Sequence, residues 1–87
     1  MPEGLTAITT AELDLICGMS IDAEEAIRER VATFRANHAD RVRMYKKTRA
    51  PELAVSAAAW ARAADAEESR AYAVRALRET LRDRRPL

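Results

Sequence analysis

The chain has 87 residues, 48% of them hydrophobic and 33% charged, with fifteen Lys and Arg against fourteen Asp and Glu. That length supports one domain with a thin core, because a folded chain of this size hides only about 60–65% of the surface its unfolded form exposes. The near-zero charge balance excludes the global electrostatic pull of a polycation toward nucleic acid, and the single cysteine, Cys17, excludes an intrachain disulfide.

The opening stretch MPEGLTAITTAELDLICGM has no basic n-region and carries Glu3 and Glu12 early, so it does not read as a signal peptide. No run approaches the ~20 apolar residues needed to span a bilayer. A free thiol suits a reducing compartment, and a cytoplasmic location without membrane attachment is expected.

Alanine, Arg and Glu dominate, and all are strong helix formers. The two glycines and three prolines stand near segment edges, at Pro2, Gly4, Gly18, Pro51 and Pro86. β-branched residues never alternate at period two, so the composition predicts an all-α protein. A short helix A is expected over about 9–17. Thr9 with Glu12 has the spacing of a capping box. Leu13, Ile16 and Cys17 form an apolar stripe, and Gly18 is placed to end the helix in a left-handed turn.

Helix B is expected over about 22–48. Asp22 and Glu25 repeat the capping spacing, and acids in a first turn suit the helix dipole. Ile27, Val31, Phe34, His38, Val42 and Tyr45 recur on one face. Pro51 then fits the first turn of a helix, where its missing N–H costs nothing. Helix C is expected over about 51–84. Leu53, Trp60, Glu67, Val74 and Leu81 are spaced by seven, with Ala57, Ala64 and Ala71 as a companion row. A seven-residue period is the pattern of left-handed coiled packing. Glu67 interrupts the apolar row, and Asp65 with Glu68 could cap a new helix, so a break near residue 65 is the alternative. The bland reading of Glu67 is a surface residue at that break, and the sharper one is a polar residue that fixes register.

Folding B back on C sets His38 against Trp60 and Phe34 against Ala64. The expected architecture is a helical hairpin of two long antiparallel helices plus the short N-terminal helix. So slender a hairpin buries little alone, and a two-fold homodimer completing a four-helix bundle is expected.

Chemistry-bearing groups are sparse. One Cys and one His are insufficient grounds for a nucleophile pair, since Cys17 lies on an apolar face and His38 on an inner one. No His- or Cys-rich cluster offers metal ligands, and no glycine-rich loop offers a phosphate cradle. No enzyme activity, cofactor or metal is expected.

The charges, however, are segregated. Residues 1–40 carry eight acids and three bases, whereas RVRMYKKTRA, residues 41–50, holds five bases and no acid. Cations at a helix C-terminus suit the dipole without any ligand, which is the bland reading of this run. The binding reading makes Arg43, Lys46, Lys47 and Arg49 an anionic-surface grip. Tyr45 and Trp60 are expected to pack in the core, or to act as nearby aromatic anchors if the hairpin is too thin to bury them. Segregated charge steers association with a complementary surface. The expected function is therefore a small non-catalytic adaptor, inhibitor or regulator that docks on a protein with an acidic surface. One alternative is a nucleic-acid-binding accessory protein using residues 41–49, with phosphate contacts from the same cations. A further alternative is a purely structural self-assembling protein.

Overall fold

In a computed structural model that describes residues 9–83, the chain is two helices joined by a two-residue turn. Helix α1 spans Thr10–Thr48 and helix α2 spans Pro51–Asp83. Thr9, Arg49 and Ala50 are the remaining described residues. The helices run antiparallel as a slab with extents of 60 × 23 × 15 Å.

Both ends of α1 are built by local chemistry. The Thr9 hydroxyl accepts the Glu12 backbone N–H at 3.1 Å and donates to the Glu12 carboxylate at 3.1 Å, so the expected cap is present. At the other end the Arg49 N–H donates to the Tyr45 carbonyl at 2.7 Å, and Arg49 adopts a left-handed conformation with φ 60°. The Thr48 hydroxyl donates to Met44 O and accepts the Ala50 N–H. Pro51 then opens α2, with Glu52 in its first turn.

Each helix carries an uninterrupted 4–3 repeat toward the other. On α1 the positions are Leu13, Cys17, Ser20, Glu24, Ile27, Val31, Phe34, His38, Arg41 and Tyr45. On α2 they are Leu53, Ala57, Trp60, Ala64, Glu67, Ala71, Val74, Arg78 and Leu81. The buried residues fall in these rows: Leu13, Cys17, Ile27, Ala57, Ala64 and Ala71. The alanines let the backbones approach, and the larger side chains interleave around them.

The expected separation into helices A and B is not realised. Gly18 lies inside α1 with no positive φ. A glycine in a helix interior costs about 1 kcal/mol relative to alanine. A bend there would break the repeat that keeps Leu13 and Cys17 in line with Ile27, and burying one leucine side chain is worth about 1.5–3 kcal/mol. The long-range term wins over the local signal. Asp22 and Glu25 are consequently mid-helix residues and not caps.

Helix α2 is likewise continuous through residue 65. Asp65 and Glu68, read as a cap, instead receive Arg35 at 3.3 and 3.1 Å. The last residue expected in helix C, Arg84, lies outside the described residues.

The register also differs from expectation. Phe34 meets Trp60, with ring centroids 5.3 Å apart and planes tilted by 47°. The His38 Nδ1 donates to the Ala57 carbonyl at 2.8 Å. Each partner lies about one helical turn nearer the start of α2 than simple counting from the turn places it.

Candidate interaction site at the turn

The turn end of the hairpin carries the residues singled out by the sequence. Arg43, Lys46 and Lys47 occupy the last two turns of α1 on its outer arc, and all three are exposed. Counted at ~100° per residue, they point away from the Phe34–Tyr45 face. Arg49 sits in the turn itself, its guanidinium carbon 5.7 Å from the centre of the Tyr45 ring. That geometry is a cation–π contact, which holds the arginine against the aromatic face. Tyr45 is half-buried at the last seam position.

Trp60 does not join this group. It stands nine residues beyond Pro51, about 13 Å along α2 at ~1.5 Å per residue, with its ring against Phe34. Its ring takes part in packing between the helices, away from the basic cluster.

Acidic company at this end is limited. Asp40 accepts Arg41 at 3.1 Å and Arg43 at 2.6 Å, so one carboxylate serves two guanidinium groups. Lys46, Lys47 and Arg49 have no carboxylate partner among the described residues. Along the stem the pattern is opposite. Arg28, Arg30, Arg35, Arg70, Arg75 and Arg78 each meet a carboxylate within 3.3 Å. Six stem arginines are thus paired with carboxylates, while Arg62 and Arg82 have none among the described residues. At the turn end Lys46, Lys47 and Arg49 are without one, and Arg43 shares Asp40.

Two polar groups in the seam carry more structural weight than the sequence reading gave them. Glu67 has a side chain only 13% exposed and accepts Arg30 at 3.0 Å and Arg70 at 3.1 Å. It is a cross-helix clamp, not a surface residue at a helix break. Glu24 and Arg78 form a second clamp at 2.8 Å, with side chains 14% and 11% exposed. Arg78 was legible as the next member of the Ala57, Ala64, Ala71 row at spacing seven. The hydrogen bond from Arg78, then that from Arg28, holds the Glu24 carboxyl below its ordinary value. An open groove of about 530 Å³ lies beside this clamp, lined by Ile21, Glu24, Glu25, Arg28, Glu29, Ala32 and Arg78.

The other candidate groups are structural in their surroundings. Cys17 is buried and unpaired by any disulfide. His38 is committed to the Ala57 carbonyl. Among the described residues, no group of three or more His, Cys, Asp or Glu side chains is arranged to hold a metal ion. No described helix is long and apolar enough to cross a membrane. Compared with protein-family models, with curated proteins and with solved structures, the chain matches none.

Proposed function

We propose that this chain is a small non-catalytic binding module, an adaptor, inhibitor or regulator. It docks its basic turn onto a partner protein with an acidic surface. The observation that carries this reading is Arg49. A non-glycine residue in the left-handed region is uncommon, and costs about 1–2 kcal/mol where glycine would cost little. A cation is nonetheless held there, beside Lys46 and Lys47, which have no carboxylate partner among the described residues. Backbone strain kept at a charged surface position points to use of that position. Three neighbouring cations at one end without carboxylate partners among the described residues, against a stem where most arginines are paired, support a directional electrostatic contact. In this reading the hairpin acts in the cytoplasm and is one half of a two-fold dimer.

The test compares wild type with Lys46→Glu/Lys47→Glu, both exposed positions whose replacement leaves the seam intact. Immobilised wild-type protein retains an acidic partner from cell extract, and the variant does not. In parallel, both proteins are titrated with mixed-sequence DNA and RNA at about 50 and 200 mM salt. Nucleic-acid binding that weakens steeply with salt and disappears in the variant replaces the adaptor reading with the nucleic-acid one. A variant that retains the same protein partner as wild type refutes the assignment of the turn.

A further inference from the structure

The two broad faces that flank the seam differ in chemistry. In an antiparallel pair with this repeat, positions just after one seam row face one side, and positions just before the other row face the opposite side. One side carries Arg28, Arg35, Asp65, Glu68, Arg75 and Glu79, all in ion pairs, with Ile21 and Tyr72 exposed among them, the Tyr72 ring under Arg28. The opposite side, over the open half of the hairpin, carries Ile16, Met19, Ala23, Ala73 and Leu77. Its charged residues there are Glu12, bonded to Thr9, and Arg30 and Arg70, both tied to Glu67. Met19 is 62% exposed and Leu77 is 60% exposed.

The slab has one layer of helices. Its 15 Å thickness is little more than one helix with its side chains, about 10–12 Å. Stable domains are built from two packed layers. The surface of 6471 Å² exceeds by about a quarter the roughly 5,100 Å² of a compact monomer of this mass. The radius of gyration of 19.2 Å compares with about 12 Å for a compact chain of this length.

The geometry points to a second copy of this chain as the missing layer, seated on the Ile16–Met19–Leu77 face. Two slabs stacked on it make a cross-section of roughly 23 × 30 Å, the proportions of a four-helix bundle. A two-fold that opposes the open halves leaves the two basic turns at opposite ends, where their like charges do not meet. Half of the 60 × 23 Å face is roughly 700 Å², against about 800 Å² per partner in a standard interface. The dimer is therefore of modest affinity. This inference rests on the dimer of the proposed function and adds the face that forms it.

Sedimentation equilibrium from about 5 to 300 µM tests it, on wild type, Met19→Glu/Leu77→Glu, and Val55→Glu. Val55 is exposed on the outer arc of α2, off both broad faces. The expected result is a monomer–dimer equilibrium for wild type and Val55→Glu, and monomer throughout for the double variant. Circular dichroism checks that helicity is retained. A wild type that stays monomeric at every concentration overturns dimer and face together, and higher oligomers do the same. A double variant that still dimerises overturns the face alone. Loss of the dimer in Val55→Glu also overturns the face.

Discussion

Replacing Gly18 with alanine distinguishes a continuous α1 from two helices joined by a turn, because the two arrangements predict opposite signs. In the structure Gly18 has no positive φ, and a Cβ built on it meets nothing within 4 Å. The substitution then adds only the propensity difference, a gain of about 0.8 kcal/mol. With an unfolding entropy of roughly 2.1 cal/mol/K per residue, an 87-residue chain gains about 4 °C in Tm. If Gly18 instead closed a helix in a left-handed turn, a Cβ would cost about 1–2 kcal/mol. Tm would then fall by several degrees. Thermal melts followed by far-ultraviolet circular dichroism decide between these, at matched protein concentration, because association shifts Tm by mass action. A lower Tm for Gly18→Ala refutes the continuous helix and the argument that Leu13 burial outweighs the glycine.

Trp60→Ala removes the ring packed on Phe34. Both aromatics are half-buried, so the loss is about 2 kcal/mol, below the 3–5 kcal/mol of a fully buried aromatic, and a urea midpoint measures it. The Glu24 clamp sets a pH dependence. The Glu24 pKa is lowered in the fold by Arg78 and then Arg28. Its contribution to stability is therefore present above the ordinary value of 4.5 and is lost as pH falls through the lowered folded value. Wild type should lose more stability below about pH 4.5 than Glu24→Gln, again by urea midpoint, and equal losses would refute the clamp.

The hairpin was legible because both of its causes are periodic or local. The spacing of Leu53, Trp60, Val74 and Leu81 defined the α2 seam, and the Ala57, Ala64 and Ala71 row is buried as that spacing implies. Thr9 and Pro51 marked helix starts through groups within three residues of themselves. Gly18 misled because its local preference is real and was overruled by packing along the whole helix. Glu67 was misplaced in its bland reading because polarity was allowed to outvote position, and Arg78 was passed over for the same reason. Counting by sevens puts both in the seam, where Glu67 meets Arg30 and the Arg78 Nη2 meets Glu24 across the helices. The Arg78 Nε and Nη1 stay buried without a hydrogen-bond partner among the described residues. At the turn, Lys46, Lys47, Arg49 and Tyr45 were legible as neighbours in sequence. Trp60 was not separable from them, since only the register places its ring on Phe34. The left-handed Arg49 had no signal, because turn chemistry leads one to expect glycine or asparagine there.

That arginine supplies the sharpest link between stability and function in this chain. Arg49→Gly removes a left-handed cost of about 1–2 kcal/mol. It also gives up the contact with Tyr45, worth about 0.5–1 kcal/mol at an exposed site, and adds the backbone entropy of a new glycine. The net expectation is a small gain or no change in Tm, while affinity for the proposed acidic partner falls about tenfold if Arg49 makes a charge-assisted contact with it. Binding falls without a loss of stability, which a merely structural residue would not show. If Arg49 only closed the helix, glycine would raise stability and leave binding intact. If affinity is unchanged, the strained cation is not part of the grip. A marked loss of stability, in turn, would mean that the contact with Tyr45 outweighs the left-handed cost, and the inference from strain to function would fail. A stable variant that no longer binds would mark Arg49 as a residue kept for its charge at some cost to the fold, the usual direction of trade-off at a functional position.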